Sequence, residues 1–390
     1  MNKKQNTKIR KVPGIKSTLI ISIALAAFGC NKQNVDTRVL RNFTQVNLVA
    51  NTSEYHPVTI DPTLLNAFGI AWSPNGIAWV NSVGGHVSEL YSGEGAIVRT
   101  PVNIPSPTDS IGGLPTGIVF SGGKNFNLSN GPSVFLFAGF DGVVSGWNPA
   151  LGNNAKKTGG FAGAAYTGLA IGSNNGRNLI YGANFGANRI DVWDTAFSRV
   201  PMSFRDPELP AEYSPYNIQA VGEKLFVMYA QLTTEGGTVG HVAGAGKGFV
   251  SVFNTDGAFV KRFASRGTLN IPWGVTLAPA SFLEAHDMNT KSHSETAGSQ
   301  DDAGSNNANR DQKEPVILVG NFGDGHINVY SLDSRFLGQL QSHERTIVID
   351  GLWALSFAPS SATSINPNRL YFTAGPDNEA DGVFGYLIKQ

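Results

Sequence analysis

Four side-chain amides and three carboxylates are the residues of this 390-residue chain whose types and spacing could do chemistry. Asn81, Asn184, Gln231 and Asn321 each close an apolar run of the same kind, as in Ala78-Trp79-Val80-Asn81 and Val319-Gly320-Asn321. A carboxamide donates and accepts hydrogen bonds at once. Four of them gathered at one place would suit a neutral sugar, a peptide carbonyl or another small polar ligand. The local use of an amide at a strand end is to bond nearby backbone and cap its own turn, and both uses fit these positions. Asp141, Asp324 and Asp377 follow such runs and could offer oxygen ligands to Ca2+. A divalent ion held there would act as a Lewis acid toward a lactone or ester. Their contexts, Asp141-Gly142, Asp324-Gly325 and Pro376-Asp377-Asn378, are also turn sequences in which aspartate bonds its own backbone.

No Gly-x-Ser-x-Gly elbow, His-Glu-x-x-His helix, Walker-type phosphate loop or spaced cysteine cluster occurs. No catalytic residue is therefore assigned, and no cofactor is expected beyond the calcium ion just described. His86, His241 and His326 are expected to pack at strand edges or bond backbone groups. Trp147, Trp193, Trp273 and Trp353 read as packing residues, with exposure of Trp79 or Phe185 the sign that would point to a carbohydrate platform.

The elements that must position these groups repeat at a spacing of about 50 residues, the signature of a propeller or related array. Each module opens on a short apolar strand: Gly69-Ile70-Ala71-Trp72, Gly117-Ile118-Val119-Phe120, Gly168-Leu169-Ala170-Ile171 and Gly274-Val275-Thr276-Leu277, with weaker copies at Asn217 and Ala354. A second strand follows and ends at Asn81, Gly139, Asn184, Gln231, Asn321 or Gly375. A third repeats a branched residue three positions before a large one, as in Val144/Trp147 and Ile190/Trp193. A fourth is visible at Ala96 to Arg99, Ala258 to Phe263 and Phe336 to Leu340. The fold expected is all-β: one six-bladed β-propeller over 42–390, with four-stranded antiparallel blades. The last module lacks an outer strand and Phe43 to Ala50 stands unpaired before the first, so the N-terminal strand is expected to close the last blade. The polar stretch at 284–312, which contains His286 and His293, reads as a disordered insertion.

The N-terminal residues carry an address. Residues 1–16 hold six basic side chains and no acidic one, and Thr18 to Phe28 is apolar or small before Gly29-Cys30. This run is far shorter than the ~20 residues a membrane-crossing helix needs, so 1–29 reads as a signal peptide. Its end resembles the lipobox of bacterial lipoproteins, with Cys30, the chain's single cysteine, as the lipidated residue and 30–41 as a flexible tether. A lipid on Cys30 would make the membrane a partner and place the protein in the cell envelope, on the periplasmic face or the cell surface. Without residues 1–29 the chain has 23 basic against 29 acidic residues, a net charge of −6, which argues against nucleic acid as a partner.

The stretches Asn66-Ala67-Phe68-Gly69-Ile70-Ala71-Trp72, Tyr181-Gly182-Ala183-Asn184-Phe185 and Val319-Gly320-Asn321-Phe322-Gly323-Asp324-Gly325 resemble a family of uncharacterised bacterial exported propellers, some with PEP-CTERM sorting tails. More distantly the chain is similar to NHL-type and gluconolactonase-like six-bladed propellers. The resemblance implies the fold. The functional expectation is an extracytoplasmic binding or scaffold module for a small polar ligand, glycan or envelope protein, with a metal-dependent lactonase or esterase as the alternative.

Overall fold

The computed structural model describes residues 37–234, 239–284 and 314–390. The expected signal peptide, Cys30, the tether through residue 36 and all of the 284–312 stretch except Glu284 lie outside them. The last residues of the expected tether, Thr37–Leu40, form a 3-10 turn whose Leu40 is buried in the core. Among the described residues no helix is long and apolar enough to cross a membrane.

Six antiparallel sheets make the ring of a six-bladed propeller. Their innermost strands are Ala67–Trp72, Pro115–Phe120, Tyr166–Asn174, Tyr213–Val221, Pro272–Ala278 and Leu352–Ser356, each neighbouring the next around the circle. The blades are numbered here 1 to 6 in that order. The β-branched and aromatic runs read from the sequence form these strands because both faces of each blade are covered by its neighbours, which favours such residues throughout. Six buried clusters fill the seams between successive blades, among them Trp79, Phe135 and Trp147 between blades 1 and 2, and Tyr166, Ile180 and Trp193 between blades 2 and 3.

Closure follows the sequence expectation. Phe43–Ala50 pairs antiparallel with Val383–Lys389, from Phe43 opposite Lys389 to Ala50 opposite Val383, and becomes the fourth strand of blade 6. Two details differ from the sequence reading. In blade 1 the fourth strand is Val102–Asn103, while the 96–99 segment makes only a bridge from Ile97 to Tyr91. Blade 3 has three strands, its outer side touched by a single bridge from Arg199 to Trp193. The 96–99 segment leaves Ile97 and Val98 exposed, while Val200 packs on the cluster between blades 3 and 4, so the repeat is least regular at the outer edges.

The glycines that open the modules have a specific use. A Cβ on Gly69 would lie 2.3 Å from the Thr116 carbonyl oxygen of blade 2, one on Gly117 2.4 Å from the Leu169 nitrogen of blade 3, and one on Gly274 2.7 Å from the Trp353 carbonyl oxygen of blade 6. The inner strands touch backbone to backbone at this level, and only a missing side chain permits it. Changing Gly117 to alanine should therefore lower stability by about 1–3 kcal/mol, the usual cost of overpacking. Gly159→Ala serves as the control, since its nearest neighbour would be 3.8 Å away at Trp193, and should be nearly neutral in the same denaturant titration.

Candidate functional site

The four amides sit at the second-strand ends, and each is engaged within the scaffold. Asn81, fully buried, donates from Nδ2 to the Thr116 and Gly117 carbonyls of blade 2 at 3.3 and 3.2 Å. Asn184 donates to Asp191 Oδ2 at 2.8 Å and accepts from the Ala165 and Ala187 N–H groups. Gln231 accepts from Lys247 Nζ at 2.6 Å. Asn321 donates to the Thr268 carbonyl at 2.7 Å and to Asp324 Oδ1 at 3.0 Å, and accepts from Asn328. Loops and seams thus occupy these groups. Among the described residues, Asn81 Oδ1 is buried without a hydrogen-bond partner.

The three aspartates are turn residues of different blades. Asp141 accepts from the Leu114 and Val143 N–H groups at 3.2 Å each, and burial nevertheless raises its carboxyl above the ordinary range. Asp324 accepts from Asn270, Asn321 and the His326 N–H. Asp377 is exposed on a loop of blade 6. Among the described residues no three carboxylate, histidine or cysteine side chains are grouped so as to hold a metal ion. The histidines behave as expected in part: His86 Nδ1 meets the Gly113 carbonyl at 2.9 Å, and His326 lies 3.5 Å from Asp324.

A different constellation occupies the channel. At the end where the inner strands begin, Trp353 lies between Phe68 and Phe322, stacked on both at centroid distances of 3.7 and 3.9 Å. Trp273 meets Phe68 and Trp353 edge-on, and its Nε1 crosses from blade 5 to donate to the Thr167 carbonyl of blade 3 at 2.9 Å. These rings fill the upper channel. The tryptophans are packing residues, as read from the sequence, but Trp273 and Trp353 fill the axis and not a seam. Trp79 and Phe185 are buried as well.

Polar groups ring this plug. Trp353 Nε1 donates to Asn66 Oδ1 at 2.8 Å, and Asn66 Nδ2 donates to Glu379 Oε2 at 2.7 Å. Burial raises the Glu379 carboxyl, and the Asn66 bond pulls against that rise. The Tyr216 hydroxyl lies 3.0 Å from His241 Nδ1. Burial holds the His241 imidazole below its ordinary value and pushes Tyr216 well above the phenol range, so both are neutral near pH 7. One of the two groups donates to the other, the direction being set by which ring nitrogen carries the proton. Asp377, Asn378 and Glu379 occur in succession with φ of 52°, 54° and 69°, and Ile271 beside the plug has φ of 50°. Such left-handed backbone in non-glycine residues is costly and concentrates at functional sites. Asn66, Tyr216 and Glu379 had no signal in the sequence because they come from a blade entrance, an inner strand and a loop with no shared spacing.

Below the plug the channel opens into a cavity of about 220 Å³. All six blades contribute walls, including Ile70, Trp72, Ile118, Phe120 and Ile171, with Gln219 and Ser356 as polar members. Gln219 Oε1 accepts from the Val275 N–H at 3.2 Å, a bond that does not use its NH2 group. Trp72 Nε1 donates to Ser356 Oγ. The channel is therefore blind at one end, a pocket instead of a pore.

No family model matches the chain. Among proteins of known sequence, "Uncharacterized protein L690" of Acanthamoeba polyphaga mimivirus is 30% identical over 97% of this chain and 92% of its own length. The chain belongs to the L690 family. A second mimivirus relative, "Uncharacterized protein R648", is 29% identical over 88% of the chain and 80% of its own length. Among solved structures, streptogramin B lyase aligns with a TM-score of 0.49 at 12% identity, covering 89% of this chain and 97% of that one. Virginiamycin B lyase from Staphylococcus aureus aligns with a TM-score of 0.42 at 12% identity, covering 89% and 99%. The L690-family fold seen here is compatible with a binding or an enzymatic role.

The plug makes a direct stability prediction for this member of the L690 family. Trp353→Ala should cost about 3–5 kcal/mol, the range for deleting a large buried aromatic side chain. Trp353→Phe should cost less, keeping the stacking but leaving Asn66 Oδ1 without its donor. Chemical denaturation of the two variants beside the parent checks the order.

Proposed function

We propose that this protein is a membrane-anchored, extracytoplasmic binding module that takes a small polar ligand, or one group of a glycan or envelope protein, into the lower half of its channel. The observation that carries the reading is the blind cavity of about 220 Å³ walled by all six blades. It is smaller than the roughly 300–1,000 Å³ of sites for drug-sized molecules, which favours a single ring or side chain. Apolar contact would come from Ile70, Ile118 and Phe120, and hydrogen bonds from the Gln219 amide and the inner strand edges. Lipid on Cys30 supplies the anchor in this reading, as in exported bacterial lipoproteins.

The binding test uses the purified protein, incubated with glycans, lactones and envelope extracts and then analysed by mass spectrometry for retained ligand. Retention should fall at least tenfold in Ile171→Trp, which fills the cavity, and in Gln219→Ala. Retention unchanged in both variants would remove the channel as the site. For the anchor, Cys30→Ser should move the protein from the membrane fraction to the soluble one; integral association that persists in that variant would sink the lipoprotein reading.

A second reading, an enzyme, draws on a separate observation: the half-buried Glu379 and the Tyr216–His241 pair around the upper plug. A carboxyl with raised proton affinity suits general acid or base work near neutrality. Asp377 lies two residues from Glu379 on the same loop, but Asp141, Asp324 and Asp377 belong to different blades and form no metal-holding group among the described residues, so acid–base hydrolysis of a lactone or ester is the form this reading takes. Turnover that drops about 100-fold in Glu379→Gln would favour it over binding alone.

A further inference from the structure

The segment leading from the closing strand into blade 1 carries a group of oxygen atoms that the channel does not use, two buried carboxyls joined by the hydroxyl of an exposed threonine. Asp61 and Glu89 are 6% and 1% exposed. Thr63 Oγ1 lies 2.6 Å from Asp61 Oδ1 and 2.7 Å from Glu89 Oε1. A hydroxyl has one hydrogen and can donate to only one of them. Thr63 itself is exposed, but with both buried carboxyls ionised the other contact would set two oxygen lone pairs against each other, at a cost. One carboxyl must therefore carry a proton and donate it to Thr63.

The surrounding bonds decide which. Asp61 is supplied as a carboxylate, with the Thr63 N–H at 3.1 Å on one oxygen and the Tyr91 hydroxyl at 2.8 Å on the other. Among the described residues the Glu89 side chain hydrogen-bonds to Thr63. Glu89 is the acid. Around it, Asp61 and Thr63 come from the linking segment, Tyr91 from its own strand, and Val80 from the paired strand. Blade 6 contributes Phe384, stacked on Tyr91, with Tyr371 behind it. Asp61 is the charged group that acts on Glu89, and burial together with that charge raises the Glu89 carboxyl to about 7, against a lowering by the Thr63 bond.

The position matters because this segment is the seam of the ring. The Asp61 N–H bonds the Ala50 carbonyl of the closing strand at 2.9 Å, Ser82 Oγ holds the Thr63 carbonyl at 2.6 Å, and Leu64 packs with Leu48, Val49 and Phe384. We propose that Glu89 holds a proton at the seam between the last and first blades, and that its ionisation loosens ring closure, making the closure pH-sensitive.

The sign follows from linkage. A folded state that binds the proton more tightly than the unfolded state loses stability as pH rises. The loss runs from the ordinary glutamate value of 4.5 to about 7 and is complete above it.

The experiment is thermal and denaturant unfolding of the full chain from about pH 5 to pH 9, with infrared detection of the protonated-carboxyl band. The parent's folding equilibrium should fall on the order of 100-fold across the window, and Glu89→Gln should lack that component and the band. Asp61→Asn should move the transition to lower pH, and this variant carries the test if Glu89→Gln does not fold. Parallel pH profiles for the parent and Glu89→Gln would overturn the proposal, as would absence of the band below pH 7. Calcium that raises the parent's midpoint but not that of Glu89→Gln would also overturn it, by making the cluster an ion site.

Discussion

The close approach of six inner strands is the constraint on which the rest of this propeller depends. Strands that meet backbone to backbone at Gly69, Gly117 and Gly274 have no room for a side chain there, and at Gly168 the Asn217 side chain fills the space; their inner edges present carbonyls that no sheet partner can satisfy. The molecule answers with side chains from neighbouring blades. Asn81 serves the Thr116 and Gly117 carbonyls, the Thr116 hydroxyl lies 2.7 Å from the Tyr166 carbonyl, Asn217 serves the Trp273 carbonyl at 2.8 Å, and Thr373 serves that of Phe68. An unmet buried carbonyl costs free energy comparable to a lost hydrogen bond, so these staples set which polar residues the ring must keep. Where the motif has Asn217 in place of glycine, the amide itself spans the gap to the next blade.

This explains why the amide positions do not form a simple binding ring. Asn81 lies within reach of inner-edge carbonyls, and burial makes that bond the favourable use of the group, while Asn184, Gln231 and Asn321 are taken up by Asp191, Lys247 and the Thr268 carbonyl. The chemistry left free is elsewhere. On one side it is a blind cavity beneath the aromatic plug, and on the other the strained loop that presents Glu379 beside Asn66. The plug separates the two, so a ligand seated below Trp353 and a substrate held at Glu379 would contact different residues.

The legible part of the architecture came from residues that repeat. Glycine before an apolar pair, a branched residue three positions before a large one, and an orphan strand at each end were enough for blade number, strand order and closure. Trp147 sits in the third-strand slot and Trp273 just before an opening glycine, but neither place in the repeat tells which ring fills a seam and which the axis, because both demand the same bulk. The outer strands were read least well, since at 96–99 the chain makes a single bridge to Tyr91 in place of a sheet ladder and blade 3 has no fourth strand.

By itself the sequence determined a six-bladed ring closed by its own N-terminal strand, because strand periodicity and glycine placement are local properties that survive in one dimension. Only the tertiary structure decided which polar groups are spent and which are free. Asp61 and Glu89 are brought to the Thr63 hydroxyl by packing of the linking segment on blade 1, and Asn66, Trp353 and Glu379 are joined across the seam between blades 6 and 1. Such groups share no spacing. Their chemistry arises from burial and from contacts between residues up to 313 positions apart, and burial is a property of the folded ring alone.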